Sequence, residues 1–257
     1  MALASPKCAI VVPTLGQRPE FLEKSLESIR AAGQCHLVMV APSSFDATPL
    51  LKSGLIDVKL DEVGTSLPAA INQGFGSLPS EIEFISWLGD DDVLGPNAIQ
   101  IAEEFLVAHP RTSLVYGRCD YIDEVGNVVW TNKSGRWAAP VLRVGPDLIP
   151  QPGSMFRRDS FERVGGLRTD LGWAFDLDLF IKLSKHGKLS YVRKTLAAFR
   201  WHADSLSVGQ RADSVREASQ VRRENLPAWL RPVSLLWEGP VRLATYRAGG
   251  FVGRGSQ

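Results

Sequence analysis

Cysteine is scarce: Cys8, Cys35 and Cys119 are the only three in 257 residues. An odd, scattered set argues against a disulfide framework or a zinc knuckle, and it fits a reducing compartment. A charge excess of either sign is also missing. The net charge is +1, so no global field draws nucleic acid or acidic substrates, and any anion site must be local. Long apolar runs are absent too. The opening "MALASPKCAIVVPTLG" holds one short run, broken at Pro13. That is too short for the core of a signal peptide or for a membrane span. The expected location is cytoplasmic, or peripheral at the inner face of a membrane. Two phosphate-binding signatures are lacking. No GxxxxGK followed by Ser or Thr occurs, so this is no P-loop enzyme. No GxGxxG follows the first apolar run, which counts against a standard dinucleotide fold.

What is present is an alternation of segment types. "CAIVV" is a continuous apolar run, as in a strand buried on both faces. It leads through "PTLGQR" into "PEFLEKSLESIRAAG", with Pro19 at a first helical position and Gly33 just past the end. "HLVMVA", "IDVKLDE" and "EFISWLG" read as further strands. "SLPAAINQGFGSL" and "PNAIQIAEEFLVAH" read as helices following the last two. "SLVYGRCDYIDEVGNVV" predicts a strand with a turn near Gly126. This order implies an α/β, Rossmann-like, mostly parallel sheet flanked by helices. Residues 131–152 are rich in Gly, Pro, Asn and Trp and read as a long loop. Beyond it come a strand and short helix in "GSMFRRDSFERVGG", a helix in "DLDLFIKLSKHG" and a strand in "LSYVRKTLAAFRWH". The tail from about Val208 begins with a charged, helix-compatible run.

"WLGDDDV" sets Asp90, Asp91 and Asp92 at the end of the fourth strand, where ligands of such sheets bind. Aspartate is common in turns. However, Pro96 fits a first helical position and Gly95 its cap, so the aspartates lie too early to cap that helix. Two readings fit: a plain turn, or a divalent cation held by hard oxygen donors. Gly95 follows Asp90 too soon for an EF-hand. Manganese or magnesium is usually held by one or two carboxylates plus a substrate phosphate, which points to a phosphate-bearing substrate.

Several segments in order resemble the family-two inverting glycosyltransferases with a GT-A fold. They are "IVVPTLGQRPEFLEKSLESI", "SSFDAT", "SLPAAINQGF", "WLGDDDVLGPNAI", "WAFDLDLFIKL" and "FRWHADSLS". The resemblance covers residues 7–207 and implies a nucleotide-sugar half (1–130) and an acceptor-binding and catalytic half (131–207), with 208–257 as a C-terminal extension. It implies a nucleotide-diphosphate sugar donor held by Pro13, Thr14, Leu15, Ala41, Asn72, Asp90 and Asp91. It also implies manganese or magnesium on Asp91, Asp92 and His202, with Asp91 the best match to the DXD metal position and Asp90 near the ribose. The sequence departs from the pattern at several positions. Gly89 stands where many members have an acid, Ala41 and Pro42 where two acids are usual, Ile71 where Arg is usual, and Phe175 where Glu is usual.

Inverting transfer needs a base for the acceptor hydroxyl and charge stabilisation on the departing diphosphate. By resemblance Asp176 is the base, and its place at a helix start favours the ionised form. Asp178 points to another face. Trp173 and Gln151 are assigned to a saccharide or lipid-linked acceptor. Trp137, Trp173 and Trp201 also suit core packing. The tail's Trp, Leu and Arg suit an anionic membrane surface, the domain itself or a second subunit. The implied function is sugar transfer in cell-surface polysaccharide or glycolipid assembly. Two alternatives stay open: an inactive binding protein on the same fold, and a sugar-nucleotide pyrophosphorylase. The second lacks the Gly-rich basic loop it needs after strand one.

Overall fold

The structure, a computed structural model, describes residues 6–201, 211–232 and 238–241. Strand β1 (Cys8–Pro13) is buried along its whole length, as a run without polar side chains must be. Its alternate residues serve two cores. Cys8, Ile10 and Val12 enter one cluster, and Ala9 and Val11 enter the other. Strand β2 (His36–Ala41) repeats the pattern, with Leu37, Met39 and Ala41 on the first face and Val38 and Val40 on the second. Helices α1 (Pro19–Ala32) and α4 (Ala98–Ala108) cover the first face through Leu22, Leu26, Ile29, Ile99 and Leu106. Helices α3 (Leu67–Gly76) and α7 (Phe175–Leu183) cover the second through Ile71, Phe75, Leu177 and Phe180. Close approach sets the α3 contact: a methyl added at Gly74 would lie 2.5 Å from Val11 Cγ1.

Among the described residues the sheet has nine strands. Its path runs β3 (Val58–Asp61), β2, β1, β4 (Phe84–Trp87), β8 (Met155–Arg157), β6 (Thr112–Ile122), β9 (Lys188–Arg200), β5 (Val93–Leu94), with β7 (Val128–Asn132) beside β6. The expected parallel pairing holds for β3-β2-β1-β4 and for β6 with β9. Strands β5, β7 and β8 join antiparallel. Strands β6 and β7 form a hairpin, whereas β5 and β8 are short strands that pair with partners distant in sequence. The turn of the β6–β7 hairpin lies at Gly126, at φ 100°, as expected.

Pro19 opens α1 and Gly33, at φ 148°, ends it. The start of α4 differs from the sequence expectation. The helix begins at Ala98 behind a left-handed Asn97, because Gly95 belongs to the sheet edge. Its N–H donates to Leu196 O at 2.8 Å, extending the β5–β9 pairing. Residues 131–152, expected to be a loop, hold the end of β7, a 3-10 turn (Gly135–Trp137) and α5 (Ala138–Val141). Asn132 Nδ2 and Ser134 Oγ both donate to Leu148 O, at 3.1 and 2.8 Å, tying the stretch to itself. The short helices α2 (Thr48–Lys52) and α6 (Arg158–Arg163) complete the main body.

The described part of the C-terminal extension is mainly helix α8 (Arg211–Asn225). It docks against α7. Val221 is fully buried in the second core, and Asn225 Nδ2 donates to Asp178 Oδ1 at 3.1 Å. All three cysteines are buried and free.

Candidate active site

The carboxyl ends of β1 and β4 lie side by side, in register from Cys8↔Phe84 to Val11↔Trp87. Just beyond β1, Thr14 Oγ1 donates to Asp90 Oδ2 at 2.5 Å and accepts from Gly16 N at 2.9 Å. Arg18, at the cap of α1, spans two aspartates. Its Nη2 lies 3.3 Å from Asp90 Oδ1 and its Nη1 lies 3.1 Å from Asp91 Oδ2. The aspartate loop is held from below by two serines of α1. Ser25 Oγ donates to Gly89 O at 3.2 Å, and Ser28 Oγ accepts from Leu94 N at 2.9 Å.

The three adjacent carboxylates are kept tolerable by unequal treatment. Asp90 and Asp91 share the Arg18 charge. Asp92 is turned inward and is 4% exposed, with Oδ1 accepting from Arg200 N at 2.9 Å. Burial, and then the neighbouring Asp91, push its carboxyl well above the usual range. Asp92, expected with Asp91 and His202 at the metal, is thus turned inward onto the end of β9. Gly89 explains one departure from the family pattern. A Cβ there would sit 2.9 Å from Asp91 Oδ1 and 3.1 Å from Asp92 Oδ2, so a side chain at this position would displace the two carboxylates that fold back over it.

Arg200 ends β9 and anchors this corner. Its Nε donates to Asp91 O at 3.0 Å, its Nη1 donates to Asp123 O and Glu124 O, and its guanidinium lies 4.5 Å over the Phe21 ring. Arg200 is the arginine of the "FRWHADSLS" segment, where the sequence assigns it no role of its own, and Arg18 reads in the sequence as one basic residue among many. His202, expected to approach this corner, lies outside the described residues.

The other expected residues fall as follows. Pro13 and Ala41 are the buried last residues of their strands, and Leu15 is 61% exposed just beyond β1. Asn72 is committed elsewhere: its Nδ2 donates to Leu167 O at 2.8 Å and its Oδ1 accepts from Leu167 N at 3.0 Å. The side chain expected at the nucleotide thus clamps the turn after α6. Gln151 Nε2 donates to Trp87 O, the last carbonyl of β4, at 2.8 Å. Trp173 is half-buried, and its Nε1 has no hydrogen-bond partner.

Asp176 lies in the first turn of α7, half-buried, with Oδ1 accepting from Leu177 N at 2.7 Å. Phe175 beside it packs on Trp87, ring centroids 6.1 Å apart. That contact brings the start of α7 to the end of β4 and accounts for an aromatic where Glu is usual. Asp178 is turned away, 1% exposed and paired with Lys182 Nζ at 2.6 Å. The sequence did not single out Asp147, which faces Asp176. Burial and then Asp176 push the Asp147 carboxyl up to about 8, with Ile149 N–H and Arg222 opposing. Burial raises Asp176 to about 6, against the N–H groups of Leu177 and Asp176 itself, with Glu217 adding to the rise.

The sign of the Asp147 shift gives a stability prediction. A raised carboxyl pKa costs nothing well below 3.8, where both folded and unfolded chains are protonated. The cost grows as pH climbs towards about 8 and is constant above it. Asp147→Asn is expected to raise the melting temperature at pH 8 by about 5 °C and by little at pH 4. A lower Tm for the variant at pH 8 would show that the ionised carboxylate is favoured in the fold.

A parallel α/β half with acidic residues at its carboxyl edge, joined through β8 to an antiparallel-edged half, defines a fold of the GT-A type. Solved structures of low sequence identity share this fold. The structure of S. aureus TarS 1–349 with UDP superposes with a TM-score of 0.60 at 14% identity, over 85% of this chain and 65% of that one. The mannosyltransferase PcManGT of Pyrobaculum calidifontis, solved with GDP-Man and Mn2+, gives 0.59 at 17% identity, over 95% and 75%. In sequence, the chain is 32% identical over 117 residues to the O-antigen biosynthesis protein RfbC of Myxococcus xanthus, covering 45% of this chain and 9% of that protein. It is 27% identical over 146 residues to the uncharacterized glycosyltransferase RC0461 of Rickettsia conorii, covering 53% and 23%. The chain thus spans less than a quarter of the length of either of these curated relatives. No family model matches it.

Among the described residues, no group of three or more His, Cys, Asp and Glu has a metal-holding arrangement. Asp90 and Asp91 nevertheless fit a cation. Oxygens of both carboxylates converge on one guanidinium, a cation already in place, and two hard oxygen ligands suffice when a diphosphate supplies the rest. Among the described residues no helix is long and apolar enough to cross a membrane.

Proposed function

We propose that the protein is a metal-dependent inverting glycosyltransferase that moves a sugar from a nucleoside-diphosphate sugar to an acceptor hydroxyl. The reading rests above all on one arrangement: Thr14, Arg18, Asp90 and Asp91 meet at the carboxyl edge of β1 and β4, with the start of α7 seated on Trp87. The fold likeness to TarS solved with UDP and to a mannosyltransferase solved with GDP-Man supports the donor class. The relationship to an O-antigen biosynthesis protein supports a place in surface polysaccharide or glycolipid assembly.

On this reading Pro13, Thr14, Leu15 and Ala41 border the nucleoside, and Asp90 faces the ribose. Asp91 holds manganese or magnesium, with Asp90 beside it and Asp92 keeping the loop rigid from behind. The cation, when bound, neutralises the charge that develops on the leaving diphosphate. Arg18 then pairs with a phosphate, a geometry its fork suits. Asp176 takes the proton from the acceptor hydroxyl as that oxygen attacks the anomeric carbon. A carboxyl raised to about 6 is a stronger base than an ordinary aspartate and is still ionised near neutral pH. Trp173 and Gln151 line the acceptor side.

The test is calorimetric titration of the full chain with UDP and with GDP, with and without manganese, followed by sugar release from the matching nucleotide sugars. Manganese-dependent binding is the expected result. No binding of either diphosphate with manganese, and no turnover of any nucleotide sugar, would favour a binding protein on an enzyme fold.

A further inference from the structure

Glu217 sits in α8, within a charged, helix-compatible run. Its carboxylate is spent on the main chain. Oε1 accepts from Gly172 N at 2.9 Å, and Oε2 accepts from Trp173 N and Ala174 N, each at 2.6 Å. Three charge-assisted bonds to consecutive N–H groups leave the carboxylate one orientation and the loop one shape. That loop runs straight into α7, and Asp176 follows Ala174 by two residues.

We propose that Glu217 is a positioning residue for Asp176. It fixes the turn that launches α7 and sets a negative charge beside the Asp176 carboxyl, which makes the C-terminal helix a working part of the site. The proposal rests on the reading of Asp176 as the base. The charged groups facing this corner are Asp147 from the loop before β8, and Glu217 and Arg222 from α8. Asp178, one position past Leu177, is turned onto Lys182 and Asn225. Glu217 adds to the rise in the Asp176 carboxyl. The rest of α8 is anchored independently, through Asn225 on Asp178, Glu224 on Arg168 and the buried Val221. The Glu217 contact is therefore separable from the docking of the helix.

The experiment follows carboxyl carbons by NMR in the full chain labelled at aspartate, with Asp176→Asn identifying the resonance. In Glu217→Gln the Asp176 midpoint is expected to fall by about half a pH unit or more. The amides of residues 172–174 are expected to exchange at least about tenfold faster. Asn225→Ala, which loosens α8 at its far end, is expected to move neither. An unmoved midpoint in Glu217→Gln, or an equal shift in Asn225→Ala, would overturn the proposal. Should the Gln variant fail to fold, Glu217→Asp keeps the charge but shortens the reach; unchanged amide exchange there would overturn it equally. None of these readouts uses transfer activity. If Asp176→Asn transfers sugar normally, the base assignment falls while the Glu217 result is still read on its own.

Discussion

Replacing Asp176 by Asn is expected to lower sugar transfer by about a thousandfold while leaving nucleotide binding unchanged. Asparagine keeps the shape and can still accept from Leu177 N–H, the bond Asp176 makes at 2.7 Å, so α7 should start where it does now. What disappears is the ability to take up a proton. General-base assistance is worth roughly 10²–10⁴-fold, and the larger values apply where no other group can substitute. Asp147 faces the same corner but is raised further, and near pH 7 it is largely protonated. Two measurements check the expectation: the transfer rate at saturating donor, and the affinity for the nucleoside diphosphate with manganese. A variant with near-normal transfer would remove Asp176 from the mechanism. For the wild type, the rate should rise with pH through the region of 6, where Asp176 ionises.

Asp91→Asn is expected to abolish the manganese dependence of donor binding. Asp91 presents its carboxylate outward, at the point where the Asp90 and Asp91 oxygens converge on Arg18. A unit charge about 4 Å from another near a protein surface contributes about 4 kcal/mol at most. A dication gains more, and hydration returns much of it. A loss of about a hundredfold in affinity for UDP or GDP with manganese follows. Affinity without the metal should change little, because Thr14, Arg18 and the strand-end backbone stay in place. Calorimetry of wild type and variant, each with and without manganese, decides the matter. An unchanged manganese effect would move the cation to other ligands.

The sequence made the parallel half legible because its signals are local. The uninterrupted apolar run of β1, Pro19 and Gly33 bracketing α1, and the aspartates behind β4 need no knowledge of distant partners. What escaped was set by distance. Arg18 gains its meaning from two aspartates more than seventy positions away. Asn72 looked like a nucleotide contact until Leu167 was found to use both ends of its amide. Glu217 sits in a charged, helix-compatible run, and only its three main-chain partners distinguish it from its neighbours there. The start of α4 was misplaced for the same reason, since Gly95 answers to Leu196 on β9 and not to the helix it precedes. The bare Gly89 was visible as a departure, yet its cause was not: two carboxylates curl back over it.

The position of β8 in the sheet has a consequence for the birth of the molecule. Strand β4 pairs with β1 on one side and with β8 on the other, and β8 begins only at Met155. Until β8 has been made and has left the ribosome, the four parallel strands expose an open edge along β4, formed by Phe84, Ile85, Ser86 and Trp87, three of them apolar. Such an edge is a template for pairing with another chain. Slow translation across the interval before β8, or release of a fragment ending near residue 130, should therefore favour aggregation, and the parallel strands should gain solubility only once β8 has closed their edge.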